Sequence, residues 1–196
     1  IYNIKKKLQF LFKKFSYGLF KLFYGQIRDF EQSEHNSNTQ IASSKINEDF
    51  KYNVYYVNNS RIYTDTINDT AIIQKNKVIV GPSFQIRETK FEDIKQNIVF
   101  TKGTPRIKKK IHGNILSLLT GGAGNNNYWH WLFDVLPRIK IIEEYFLLEE
   151  INYFLFPDLK EKFQRETVKL LNIPDAKIIS SRLFRHIQSN KVITVD

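Results

Sequence analysis

The chain contains no cysteine, which excludes disulfide staples, thiolate metal sites and a cysteine nucleophile, and favours a reducing compartment. Methionine is absent too, and the first position is Ile1. A removed or missing start is therefore expected, and the chain reads as a piece of a longer product. No run of about 18 uncharged apolar residues occurs, the length a membrane-spanning helix needs. The amino-terminal segment lacks the compact apolar core of a secretory signal. No Gly-Lys-Ser/Thr follows a glycine turn and no Gly-x-Ser-x-Gly elbow is present, so neither a Walker phosphate loop nor a hydrolase serine is expected. His112 and His186 lie near basic stretches without metal-like spacing, so no metal site is expected.

What is present suits a globular protein: 196 residues, of which 42% are hydrophobic, are enough for one full domain or a domain with an appendage. The net charge is +10, but residues 1–28 hold Lys5, Lys6, Lys7, Lys13, Lys14, Lys21 and Arg28 with no acid, which leaves +3 for the rest. A nucleic-acid-binding face puts its cations on the folded domain, whereas these sit on a separable end. No nucleic-acid partner is expected.

Within residues 1–30, Ile4, Leu8, Leu11, Phe12, Phe15, Leu19, Leu22 and Phe23 recur at steps of three and four, which places them on one helical face with most lysines on the other. A basic amphipathic helix of this kind suits the headgroup layer of an anionic membrane, with the six lysines as membrane-binding residues. Residues 31–49 are rich in Ser, Asn, Gln and Glu and read as a linker. Short strand-like runs follow at Tyr52 to Val57, Arg61 to Thr64, Ala71 to Gln74 and Lys77 to Val80, with Lys75-Asn76 as a tight hairpin turn. Residues 50–110 thus read as a small β-rich subdomain. The run Arg106-Ile107-Lys108-Lys109-Lys110 reads as a solvated charge run.

From residue 111 strands alternate with helices: a strand over Asn114 to Thr120, a helix over Tyr128 to Phe146 broken at Pro137, a strand over Asn152 to Phe156, a helix over Leu159 to Leu171, and strands over Ala176 to Ser180 and Lys191 to Val195. That order favours a parallel sheet with covering helices. In such sheets ligands collect where strand ends lead into helices. Gly121 and Gly122 stand at one such end, Asn127 is placed to cap the following helix, and the free N–H groups there suit a phosphate or a sugar hydroxyl. His130 and Asp134, four apart, project from one face. Either the carboxylate orients the imidazole as a general base, or Asp134 is itself the base. Arg138, one turn on, suits a phosphate or carboxylate. Trp129 and Trp131 flank the histidine, and core packing is the leading expectation for both, with stacking against a sugar ring open for one.

The run Asn127-Tyr128-Trp129-His130-Trp131-Leu132-Phe133-Asp134-Val135-Leu136-Pro137-Arg138 resembles the signature of glycosyltransferase family 61, which includes bacterial capsular-polysaccharide biosynthesis proteins. The strand and glycines before it, Phe163-Gln164-Arg165-Glu166-Thr167 and Leu171-Asn172-Ile173-Pro174 are also similar, so the likeness extends over residues 50–196. The resemblance implies a GT-B-type architecture of two Rossmann-like domains, with residues 111–196 as the acceptor-side half and the carboxyl-terminal donor domain missing after Asp196. It implies inverting transfer from a nucleotide-sugar donor to a glycan or lipid-linked acceptor, with no cofactor and no obligatory metal. His130 and Asp134 match the family's motif positions and are the expected catalytic pair, with either as the base; Asn127 and Arg138 match its flanks, and together with Gly121, Gly122 and Trp131 they are the expected substrate-binding residues. Location on the cytoplasmic face of the membrane, held peripherally by the basic helix, completes the expectation; the competing expectation is a non-catalytic, membrane-tethered carbohydrate- or phosphate-binding module.

Overall fold

The structure is a computed structural model and describes residues 2–45, 51–83, 86–87, 90–121 and 126–196. A long helix, α1 (Tyr2–Tyr24), leads into β1 (Asp29–Gln32), β2 (Thr39–Lys45), β3 (Lys51–Thr64), β4 (Thr70–Gln74) and β5 (Lys77–Val80). A two-stranded ladder, β6 (Ile86–Arg87) with β7 (Lys90–Phe91), precedes the short helix α2 (Ile98–Lys102). The second half runs β8 (Lys109–Ser117), α3 (Tyr128–His130), a π-helical turn (Trp131–Val135), α4 (Pro137–Glu143), β9 (Tyr153–Phe156), α5 (Lys162–Leu170), β10 (Ile178–Ser180) and β11 (His186–Val195).

The linker expected over residues 31–49 is instead built into the sheet as far as it is described. β1 runs parallel to β5 and β2 antiparallel to β3. Between them Asn36 is buried: its amide donates to Gln74 Oε1 at 2.9 Å, and its Oδ1 accepts from the Asn38 N–H and the Thr39 hydroxyl. The polar residues that resemble a linker thus form a side-chain turn beside an edge strand. Residues 46–50 lie outside the described residues. The hairpin read at Lys75-Asn76 is present, with φ of 46° and 63°, the positive pair a type I′ turn requires.

Among the described residues one mixed sheet of nine strands holds the fold, ordered β1-β5-β4-β3-β11-β8-β9-β10 with β2 also paired to β3. The separate β-rich subdomain expected over residues 50–110 is therefore not a separate layer. β11 joins the two halves, antiparallel to β3 on one edge and parallel to β8 on the other. Its polar Ser189-Asn190-Lys191 stretch hides the strand's first half from the alternation rule.

The strands β10, β9, β8 and β11 are mutually parallel neighbours. The chain builds β8, β9 and β10 outward in one direction and then places β11 on the far side of β8. Strand order reverses between β8 and β11, the place at which open parallel sheets commonly bind ligands, outside the carboxyl ends of the strands. The β8–β9 crossover and α5 both cover the same face, where Trp131, Val135, Ile139 and Val168 pack on Leu116, Phe154 and Ile193. Crossovers that step in one direction with the same hand must share a face.

Among the described residues the opposite face carries no helix; it is closed by the sheet itself. Ile62 and Ile72 from the amino-terminal half share one buried cluster with Ile115, Leu155, Ile179 and Ile187 from the parallel half. The ladders are irregular at one level: the β3–β11 register skips Asn59 (φ 49°), and the register between β11 and β8 shifts between Ser189 and Lys191. Gly113 sits there with φ of 106°, a conformation that a Cβ makes costly. Its N–H donates to Asn190 Oδ1 at 2.9 Å and its carbonyl accepts from the Ser189 hydroxyl at 2.8 Å.

Candidate functional site

The site is built at the carboxyl ends of β8 and β11. β8 ends at Ser117; Leu118 and Leu119 continue from it, and Gly121 turns the chain with φ of 67°. Gly122 lies outside the described residues. Asn127 restarts the chain as a helix cap: its Oδ1 accepts from the N–H groups of Trp129 (3.0 Å) and His130 (3.4 Å). The cap expected at this position is present, and it corrects the expectation of free donors, because those two N–H groups are spent on the cap.

Helix α3 then widens into a π turn closed by the Leu136 N–H on the Trp131 carbonyl. Trp131, Val135 and Ile139 recur at a strict four-residue step, which drifts around an α-helix of about 3.6 residues per turn; one wider turn absorbs part of that drift and keeps all three on the sheet. The break lies in this turn, ahead of Pro137, which serves as the first residue of α4.

The same spacing keeps His130 and Asp134 together on the outer side. His130 Nδ1 lies 2.6 Å from Asp134 Oδ2, with side chains 44% and 42% exposed. A carboxylate only accepts, so Nδ1 carries the hydrogen, and in the neutral ring Nε2 is the nitrogen with the lone pair. Among the described residues Nε2 has no hydrogen-bond partner. This is the arrangement of a base whose ring is fixed by a carboxylate.

Two substrate-binding assignments from the sequence are corrected. Trp131 is fully buried, with its indole N–H donating to Thr167 Oγ1 at 2.8 Å and its ring beside Phe156. It packs; it does not meet a ligand. Arg138 is 7% exposed. Its Nε donates to the Asp134 carbonyl (2.8 Å), and its Nη1 to the carbonyls of Val195 (2.6 Å) and Leu119 (3.3 Å). Burial lowers its pKa to about 10, partly offset by the charges of Asp134 and Asp196. The guanidinium thus ties a carbonyl just past β8 and the last carbonyl of β11 to the helix that carries the dyad.

The aromatic surface is supplied instead by residues the sequence reading left aside or assigned to the core. Trp129 and Phe133 are 65% and 56% exposed, with ring centroids 4.3 Å apart, on the same short segment as His130. The spacing 129/133 is the outer counterpart of 131/135, the one signal by which the two tryptophans differ. Asp196 was also missed. Its carboxylate accepts from the Asn53 N–H, the Asn53 amide and the Tyr55 hydroxyl; burial, and then the Asp196 charge, push the Tyr55 phenol well above its ordinary pKa. Among the described residues no group of three or more His, Asp and Glu side chains is placed to hold a metal ion.

At the other end of the parallel strands, α1 rests on the body by one narrow face. Tyr24 packs edge-on against the His186 ring (4.9 Å) and its hydroxyl accepts the Lys108 N–H. Lys21 donates to the Thr101 carbonyl at 2.8 Å, which corrects its assignment as a membrane-binding residue. Lys5, Lys6, Lys7, Lys13 and Lys14 are exposed, as are Phe12 (73%), Phe15 (70%) and Leu22 (80%) on the apolar face. Among the described residues no helix is long and apolar enough to cross a membrane.

No family model matches the chain, and comparisons with curated proteins and with solved structures find no match.

Proposed function

We propose that the carboxyl-end site is the acceptor side of an inverting glycosyl transfer, and that the sheet carrying it is one half of a GT-B-type pair whose other half holds the nucleotide sugar. The observation that carries this reading is the His130–Asp134 dyad at the reversal of strand order, its Nε2 without a partner among the described residues. The likeness of residues 127–138 to glycosyltransferase family 61 adds the reaction class.

In the proposed reaction Nε2 of His130 takes the proton of an acceptor hydroxyl while Asp134 stabilises the imidazolium that forms. The hydroxyl oxygen attacks the anomeric carbon of the donor from the face opposite the leaving group. A new C–O bond forms as the bond to the nucleoside diphosphate breaks, and the diphosphate leaves with the electron pair. Trp129 and Phe133 offer an apolar ring face on which the acceptor sugar lies. The apolar face of α1 holds the enzyme on the cytoplasmic side of an anionic membrane, where a lipid-linked glycan acceptor resides.

The test is consumption of nucleotide sugar by the chain supplied with the donor-binding half. His130→Ala and Asp134→Ala are expected to lower turnover by about two to four orders of magnitude, with Asp134→Asn between them and wild type. Unchanged turnover in both alanine variants removes the assignment. A second reading, a non-catalytic carbohydrate-binding module, is favoured by the exposed Trp129–Phe133 pair. It predicts glycan affinity that falls in Trp129→Ala and stays unchanged in His130→Ala, with no turnover in any form.

A further inference from the structure

The groove between α1 and the turn after β10 holds four cations and no acid. Arg106, Lys109, Arg182 and Arg185 line it together with Ser16, Phe20, Pro105, Ile107 and Leu183, around a volume of about 620 Å3. Among the described residues none of the four cations is ion-paired. Lys109 reaches only the face of the Phe184 ring, at 3.9 Å. Like charges gathered without a carboxylate repel one another, and an anion bound among them relieves that repulsion. Part of the basic run read from the sequence as merely solvated is thus gathered with two arginines from nearly 80 residues further along the chain.

The groove is apolar where it meets the helix. Phe12, Ser16 and Phe20 form a row one turn apart along α1: Phe12 belongs to the exposed apolar face, and Ser16 and Phe20 are groove wall. On the other side Ile107 and Leu183 are 77% and 70% exposed. When an amphipathic helix about 10 Å wide sinks its apolar face into the headgroup–acyl boundary, its flank lies at the depth of the headgroups. The groove opens on that flank.

We propose that this groove binds the phosphate of a membrane lipid whose headgroup carries more than one negative charge, a phosphate monoester or a pyrophosphate, with the acyl or polyprenyl chain lying along the apolar face of α1. Four cations exceed what a single-charged phosphodiester needs, whereas a phosphate monoester carries about one and a half to two charges at neutral pH. The proposal rests on the reading of α1 as a membrane-surface helix. It is separate from the transfer site, because the groove lies at the amino-terminal ends of β8 and β11 and the dyad at their carboxyl ends. The lipid held here anchors and orients the protein and is not the group being glycosylated.

The experiment is flotation of the full chain with neutral phosphatidylcholine vesicles containing either phosphatidic acid or phosphatidylglycerol, matched for surface charge. The wild type is expected to bind the phosphatidic acid vesicles several-fold more tightly. Arg106→Gln/Arg182→Gln, both exposed positions, is expected to lose about tenfold on phosphatidic acid and to abolish the preference; a thermal melt matching wild type shows that the fold is intact. Equal binding of the two lipids by wild type, or equal loss on both in the double variant, overturns the proposal. So does saturable binding of inorganic phosphate or of a short RNA that the double variant loses while no lipid preference exists, since the cations then serve a soluble anion or a nucleic acid. Phe12→Ser/Phe15→Ser separates the underlying reading: undiminished binding of every anionic vesicle by that variant rejects the α1 membrane face, whereas the headgroup preference is read from the ratio between lipids.

Discussion

The guanidinium of Arg138 donates to the carbonyl of Val195 across 2.6 Å. The same nitrogen reaches Leu119, so one side chain bridges the two strands between which the sheet order reverses. Removing it leaves buried carbonyls without a donor. Arg138→Met is expected to lower the free energy of unfolding by about 3 kcal/mol, measured by urea denaturation. A change within about 0.5 kcal/mol returns Arg138 to the list of ligand-binding groups.

The two tryptophans are expected to separate cleanly. Trp131→Ala empties a fully buried site and breaks the bond to Thr167, with an expected cost of about 3 to 5 kcal/mol. Trp129→Ala removes an exposed ring and is expected to leave stability within about 0.5 kcal/mol while weakening acceptor-glycan binding. Denaturation and a glycan titration followed by fluorescence measure the two effects.

Acid is expected to destabilise the fold through His186, the buried one of the four histidines. Its Nδ1 donates to the Arg106 carbonyl and its Nε2 accepts from Arg61, so the neutral ring is the one the fold accommodates. Burial is the main cause that lowers its pKa from 6.5 to about 4. Between those values the unfolded chain binds a proton that the folded chain refuses. Stability is therefore complete above pH 6.5 and falls as pH drops towards 4, by about 3 kcal/mol in all. Urea midpoints between pH 7 and pH 4 check this, and His186→Gln is expected to flatten the difference.

The irregular level of the sheet has its own test. A Cβ on Gly113 would lie 2.2 Å from Asn152 Oδ1 on a backbone with φ of 106°, and Asn152 already accepts the Asn114 N–H at 2.7 Å. Gly113→Ala is expected to cost about 2 kcal/mol. Adding Asn152→Ala relieves the contact but not the backbone strain, so the double variant is expected to recover part of the loss relative to the summed single changes.

Local signals made part of this legible. Lys75-Asn76 names its turn, Asn127 names its cap, and the step of three and four in α1 names its apolar face. The segment 29–45 was not legible, because a polar edge strand and its Asn36 turn have the composition of a linker, and only the ladder with β3 and the Asn36–Gln74 pair distinguish them. β11 was half legible, since its polar Ser189-Asn190-Lys191 stretch at the shift in register interrupts the alternation that marks a strand. In the site, the sequence put Trp131 in one helix with His130, Asp134 and Arg138, the last three at four-residue steps, but did not say which faced the sheet. The covering of Leu116, Phe154 and Ile193 decides that, and it turns two expected ligand residues into packing and pinning residues.

Chemical rescue tests the central claim most directly. The His130 side chain is 44% exposed beside Asp134, so its deletion leaves an open slot with the carboxylate in place. In the chain supplied with the proposed donor-binding half, His130→Ala is expected to lose nucleotide-sugar turnover and to regain part of it with added imidazole, while His130→Ala/Asp134→Ala gains far less. Full turnover in His130→Ala without imidazole would contradict the account.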